Sequence, residues 1–342
     1  MIFYKGTFII PEMKMVFFDI DSHNKEYMEK HFPDASYLST PLLEITNITE
    51  EMSKTEIISI FTTSKVTAET LDKFPNLKLI ALRSVGFSHV DLDYCKTRGI
   101  RVTNTPHYGD HTVAEFAFGL LLAVTRKIKL ANEDFERGSV NLGNYTGMEL
   151  FCKTVGVIGT GAIGKQFIRI AKGFAMNVIG YDIYPDKNLN IEYTDLEDLC
   201  ARSDAISIHA PLTKDNFHLI DKQKFEKMKK GVIIINTARG ELIDSLALYE
   251  ALLNKTVSGA GLDVIESEEI TAHDDDYVGA IDSIDKQALK DYMLTQKLLK
   301  IPNVIITPHI AYDTCDAIQR ILDMTVHNIN GFIYKSEACY VV

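Results

Sequence analysis

The 342-residue chain has no C-x-x-C pair, no basic surplus and no long apolar run, and each absence removes a class of function. Its five cysteines (Cys95, Cys152, Cys200, Cys315, Cys339) are scattered and odd in number. Neither a metal site nor a disulfide framework is therefore expected, and a reducing cytoplasm fits. With 36 Lys+Arg against 47 Asp+Glu, the net charge is -11. Phosphate binding draws its free energy from clustered cations, so no nucleic-acid partner is expected. Short basic runs such as "KFEKMKK" read as solvated helix faces. The longest apolar run, "FAFGLLLAV" from Phe116 to Val124, falls far short of the roughly 20 residues that span a bilayer. Lys5, Pro11, Glu12 and Lys14 interrupt the apolar start before a signal-peptide core forms, so no membrane partner is expected either.

What is present is an alternation of strand-like and helix-like runs over a length that suits two domains. That alternation is the pattern of an α/β protein with largely parallel sheets. The first third offers "MVFFDI", "IISIF", "KLIALRS" and "IRVTNT" as strands, with polar helical stretches between them, as in a small doubly wound domain. A long apolar helix is expected near "HTVAEFAFGLLLAVTRKIKLA", with Thr112 as N-cap and Glu115 as its capping-box partner. From Val155 a second series begins with "TVGVIG", "NVIGYD", "DAISIHA", "VIIINTA", "SGAGLDV" and "NVIITPH". Runs such as "VIIIN" lack polar alternation, as strands covered on both faces do. After Glu269 comes a long, acidic, partly helical insertion before the last strand.

Within "VGVIGTGAIG", Gly159, Gly161 and Gly164 form G-x-G-x-x-G. The pattern alone is weak, and a strand-turn-helix without ligand or a methyltransferase loop are its plainer alternatives. Context favours a dinucleotide. The glycines follow an apolar strand and open a helix with Ile163, Phe167, Ile170, Ala171 and Phe174 at helical spacing. In such a turn the first glycine allows the bend, the second lets backbone approach a pyrophosphate, and the third lets helix pack on strand. The helix N-terminus then faces the phosphates. Asp182 closes the next strand at close to the spacing of about 20 residues expected for a ribose-binding acid, which favours NAD over NADP.

Three further candidates lie just past later strands, where open α/β sheets place their ligands. Arg239 in "NTARGELID" has the fork geometry that grips a carboxylate, or forms a surface salt bridge. His309 in "TPHIAYDT" is of the type that passes a proton near neutrality, or is a structural histidine. Glu268 in "GLDVIESE" is a carboxylate that would favour a protonated imidazole beside it. Glu266 and Glu269 are close by, and spacing does not choose among the three.

Taken together, "VGVIGTGAIG", "HAPLT", "NTARGELID", "GLDVIESE" and "NVIITPHIAY" resemble the NAD-dependent D-2-hydroxyacid dehydrogenases over nearly the whole chain. The resemblance implies an α/β fold of two doubly wound parallel-sheet domains with the active site in a cleft. Residues 1–108 and 309–342 would form a flavodoxin-like substrate domain, and 109–308 a Rossmann cofactor domain. It implies that Arg239 binds the substrate carboxylate and carbonyl, that Glu268 is the acid paired with the histidine, and that His309 is the general acid/base. For NAD it implies contacts from Gly159, Thr160, Gly161, Ala162, Ile163 and Gly164, from Asp182, His209 and Pro211, and from Thr237, Ala238, Arg239 and Asp263. In "RSVGFSHVDL" the amides of Val85 and Gly86 would bind the substrate acid, with Tyr108 and Tyr312 as further substrate contacts.

The insertion and "HIAY" resemble the D-lactate and D-2-hydroxyisocaproate branch. Ser88 and His89, and "YGDH" after Tyr108, depart from the patterns common near the family's substrate site. The expected reaction is NADH-dependent reduction of a short 2-oxo acid to its D-2-hydroxy acid. Glyoxylate, hydroxypyruvate or phosphoglycerate-type substrates are the alternatives within enzymes; for a phosphorylated one the substrate loop offers only Arg83 and a histidine. An NAD-sensing corepressor-like protein is the alternative outside them. A homodimer joined through the cofactor domain is implied, with the apolar helix after Thr112 as candidate contact.

Overall fold

The apolar runs become interior strands of two parallel sheets, because a strand with helices over both faces has no polar side to present. The computed structural model describes residues 13–45, 48–268 and 286–342. The chain divides at Tyr108/Gly109 and at Asp313/Thr314 into two compact units.

The first unit holds β1 (Met15–Phe17), β2 (Ser36–Tyr37), β3 (Ile57–Ile60), β4 (Leu79–Leu82) and β5 (Arg101–Thr103). All pairs are parallel and the order is β2-β1-β3-β4-β5, the flavodoxin-like doubly wound arrangement. Every residue of β3 and β4 is buried. The last helix, Cys315–Tyr334, belongs here: capped by the Thr314 hydroxyl, it buries Leu322 and Ile329 in one cluster with Phe17, Ile57 and Leu79. Strand β2 was not expected, since two residues carry no readable period.

The second unit holds β6 (Thr154–Ile158), β7 (Asn177–Tyr181), β8 (Glu192–Tyr193), β9 (Ala205–Ile208), β10 (Val232–Asn236), β11 (Val257–Leu262) and β12 (Val304–Ile306). They pair in parallel in the order β12-β11-β10-β9-β6-β7-β8, which is the Rossmann order with one added strand. The order reverses between β6 and β9, and that reversal is where such sheets open to ligands.

The long apolar helix spans Asp110–Thr125 and begins earlier than the Thr112 cap expected. Gly109 is its N-cap without a side-chain bond, Asp110 puts an acid in the first turn, and Thr112 is buried inside the helix. Its apolar residues pack inside the second unit, where Phe118 lies 5.6 Å from Phe167 and 4.6 Å from Phe174, ring centre to ring centre. Of the expected insertion, residues 269–285 lie outside the described residues, and its remainder is the helix Lys286–Leu299. The resemblance has the return to the first unit begin at His309. Residues 309–313 cluster instead with the second unit, because Asp263 accepts from the amides of Ile310 (3.0 Å) and Ala311 (2.8 Å). No helix among the described residues is long and apolar enough to cross a membrane.

Candidate active site

At the reversal of the larger sheet the chain leaves β6 through Gly159, whose φ of +86° lies in the left-handed region. A Cβ there would also stand 2.6 Å from the Ala210 nitrogen, on the segment leaving β9. Gly161 N-caps the helix Ala162–Gly173 without a side-chain bond, and the space where its Cβ would stand is open. A Cβ at Gly164 would lie 2.1 Å from the Gly159 carbonyl oxygen, so this turn and helix close up only around glycine. Ala162 and Ile163 form the first turn of that helix. Its start keeps its amides and positive dipole end for an anion.

Asp182, just past β7, accepts from the Thr160 amide (2.6 Å) and hydroxyl (3.0 Å) with one oxygen and from the Tyr184 amide (2.8 Å) with the other. A carboxylate has about four acceptor sites, so this anchoring leaves capacity for a further donor. His209, just past β9, receives or gives a hydrogen bond with Ser207 through Nε2 (2.9 Å) and packs against Phe167. Burial pushes its pKa down to about 3. Among the described residues its Nδ1 and the Thr237 hydroxyl are buried without a partner. Pro211 follows in the same loop, its carbonyl accepting from Asn216 (2.7 Å). The open flank of Gly161, the helix start without a side-chain cap and these two orphaned polar atoms fit a bound dinucleotide.

Next in the sheet come β10, β11 and β12, and the three residues singled out for chemistry follow their carboxyl ends. Asn236 ends β10 and holds the turn beyond it: its side chain accepts from the Ala238 amide (3.0 Å) and donates to the Arg239 carbonyl (2.8 Å). Arg239 is thereby presented exposed, with one guanidinium nitrogen on the Ala238 carbonyl (2.5 Å). Past β11 and β12, His309 Nδ1–H donates to Glu268 Oε1 (2.9 Å), and both side chains remain about 40% exposed. Glu266 is engaged elsewhere, and Glu269 lies outside the described residues. His309 has a φ of +54°, a conformation a non-glycine residue holds only when its surroundings impose it.

Asp263, expected among the cofactor contacts, is what imposes it. It is 1% exposed, and its carboxylate takes the Thr307 hydroxyl (2.6 Å) and the amides of Ile310 and Ala311, while its carbonyl takes the His309 amide (2.9 Å). The geometry thus gives Asp263 the task of holding the segment that carries His309. Tyr312 on the same segment is half-buried, and burial raises its pKa, with Asp313 and Asp263 adding to the effect. Asn236 escaped the sequence reading; its one signal was a polar residue closing an otherwise apolar strand.

In the first unit, Val85 and Gly86 lie past β4. Their carbonyls accept from Asn104 (2.9 Å) and Ser84 (2.7 Å), whereas no acceptor for their amides is found among the described residues. Tyr108 accepts from Arg320 through its carbonyl (2.8 Å). Arg83 has no role for a phosphorylated substrate. It is 3% exposed and committed to Ser59, to the carbonyls of Phe18 and Asp19, and to the Asp19 carboxylate at 3.1 Å. Burial pushes the pKa of neighbouring His89 down, opposed by Asp19.

The chain is similar to known proteins over most of its length. The family model described as "D-isomer specific 2-hydroxyacid dehydrogenase, NAD binding domain" matches residues 118–311. A D-lactate dehydrogenase of Escherichia coli (strain K12) is 35% identical over 96% of this chain and 98% of its own length. An aromatic 2-oxoacid reductase of Clostridium sporogenes is 40% identical over 81% of this chain and 83% of its own. The solved D-lactate dehydrogenase of Aquifex aeolicus, complexed with NAD and lactic acid, superposes with a TM-score of 0.82 at 36% identity, covering 94% of this chain and 96% of that one.

Proposed function

This chain belongs to the D-isomer specific 2-hydroxyacid dehydrogenases, NAD-dependent oxidoreductases, and we propose that it reduces small 2-oxo acids, pyruvate first among them, to D-2-hydroxy acids. The observation that carries the reading is the Glu268–His309 pair at 2.9 Å, one strand end away from the exposed Arg239. NADH, when bound, supplies the hydride that the substrate's C2 receives. With Nδ1–H committed to Glu268, His309 has Nε2 left to give a proton to the substrate oxygen. Arg239 holds the substrate carboxylate and carbonyl and stabilises the charge that grows on the oxygen, a kind of contribution worth about 3 kcal/mol. The amides of Val85 and Gly86 are assigned to the substrate acid, and Tyr108 and Tyr312 are assigned as further substrate contacts. Asp263 holds the His309 segment and so keeps the proton donor in register.

The test is NADH oxidation followed at 340 nm with pyruvate, 2-oxobutyrate, 2-oxoisocaproate, phenylpyruvate, glyoxylate and hydroxypyruvate. Fastest turnover on pyruvate is expected. Preference for phenylpyruvate would instead align the chain with its Clostridium relative. Tight NADH binding with no turnover on any acid would replace the reading with an NAD-sensing protein.

Asp182 is assigned to the ribose hydroxyls, where its charge disfavours a 2′-phosphate. Asp182→Ala is expected to narrow the preference for NADH over NADPH by about tenfold in kcat/KM, or about 1.4 kcal/mol. Undiminished discrimination would refute the assignment.

The assembly proposed is a cytoplasmic homodimer joined through the cofactor unit, and five free thiols suit a reducing compartment. The Asp110–Thr125 helix, the candidate contact, buries Ala114, Ala117, Phe118, Leu120, Leu121 and Val124 within its own unit and leaves Val113, Phe116 and Leu122 partly exposed. Phe135 (76% exposed), Leu142 (81% exposed), Ile128, Val140 and Phe151 supply exposed apolar surface just after it.

A further inference from the structure

A second histidine–glutamate pair stands two residues from the first. His218, past β9, donates from Nε2–H to Glu266 Oε1 at 2.6 Å, and the Ser245 amide donates to Glu266 Oε2 at 3.0 Å. Glu266 is 12% exposed in its side chain, and Ser245 opens the nine-residue helix Ser245–Leu253, so its carboxylate also meets the positive end of a helix dipole. Both oxygens are therefore engaged by groups from two other segments.

The neighbours of Glu266 show what this clamp holds. A Cβ on Gly240, next to Arg239, would lie 2.1 Å from the Ile265 carbonyl carbon and 2.5 Å from the Glu266 nitrogen. The Arg239 turn and the Glu266 turn thus touch backbone to backbone. On the other side, the Ser267 hydroxyl donates to Asp291 Oδ2 (2.9 Å) from the Lys286–Leu299 helix, and Ser267 has a φ of +52°. The turn is pinned at 266 and at 267 through a left-handed serine, and Glu268 is the next residue.

We propose that Glu266, locked by His218 and the Ser245 amide, is a positioning residue that sets the reach of Glu268 to His309 and its register against Arg239. This rests on the reading of Glu268 and His309 given above. The titratable and charged groups on the segments that meet the turn are His218, Glu241 and Asp244 and, on the insertion helix, Asp291. Beyond Glu268 stand His309, Asp263 and Tyr312. Of these, His218 is the group bound to Glu266 itself. His218 also donates its own amide to the Glu241 carbonyl (2.8 Å), beside the Arg239 turn.

The experiment compares kcat and KM for 2-oxo acid reduction in the full-length enzyme, the Glu266→Ala, Glu266→Gln and His218→Asn variants, and Glu268→Gln as reference. NADH affinity and thermal unfolding are recorded for each. Glu268→Gln is expected to lower kcat about 100-fold, within the range that a group acting on the proton donor contributes. Glu266→Ala is expected to lower kcat about tenfold with KM and NADH affinity unchanged, the signature of a displaced proton donor. Glu266→Gln, which still accepts from Ser245, restores most of the rate. His218→Asn lowers kcat in the same way and serves in place of the alanine variant if that one does not fold. Asparagine tolerates the left-handed φ of +52° at 218 and removes the bond to Glu266. An unchanged kcat in a folded variant, or a rate loss that follows unfolding alone, overturns the proposal. An unchanged kcat in Glu268→Gln would sink the underlying pair instead, so the two failures are distinct.

Discussion

Exchanging His309 for asparagine leaves NADH binding within about twofold of the parent and lowers kcat by about three orders of magnitude, within the range general acid catalysis contributes. Asparagine is the chosen replacement because it tolerates the φ of +54° at this position better than alanine, so the loss reports chemistry and not backbone relaxation. Asp263 continues to hold the segment through Thr307, Ile310 and Ala311, none of which the exchange touches. Of the residues assigned to NADH, the glycine turn, Asp182, His209 and Pro211 lie past β6, β7 and β9, away from β12 in the sheet. Fluorescence titration with NADH and steady-state turnover on pyruvate separate the two effects. A kcat near that of the parent would remove His309 as proton donor.

Exchange of Arg239 for glutamine costs about 100- to 1000-fold in kcat/KM, most of it as a raised KM for the 2-oxo acid. A forked, charge-assisted contact to a carboxylate is among the strongest a side chain makes, and only part of it grows further in the transition state. Lysine restores little, because an ammonium cannot reproduce the planar fork. The backbone turn survives either exchange, since Asn236 grips the Ala238 amide and the Arg239 carbonyl and not the guanidinium. The measurement is the pyruvate dependence of initial rate at saturating NADH, with oxamate inhibition as an independent readout of anion binding. An unchanged KM and kcat would place Arg239 outside the site.

Much of this site was readable because its signals are local. A left-handed turn that also meets a crossing backbone admits only glycine, so Gly159 is visible in the chain before any fold is known. The residues that hold the site were less readable. Asp263 was legible only as a cofactor contact, and its bonds to Thr307, Ile310 and Ala311 show that it also holds the His309 segment. Arg83 looked like a free cation beside the substrate loop until its burial against Asp19 was seen. Thr112 had the form of a helix cap, yet the helix runs on to Asp110 and buries it.

The amino-acid sequence by itself determined the α/β class, the nucleotide turn and the strand ends from which Arg239, Glu268 and His309 project. Those follow from apolar runs, glycine geometry and spacing along one segment. Spacing did not choose which acid faces His309; the resemblance pointed to Glu268, and the tertiary structure gives the physical reason. Glu266 and Glu268 stand two residues apart with equal chemistry, and only the arrival of His218 and Ser245 from distant segments claims the first and leaves the second for the imidazole.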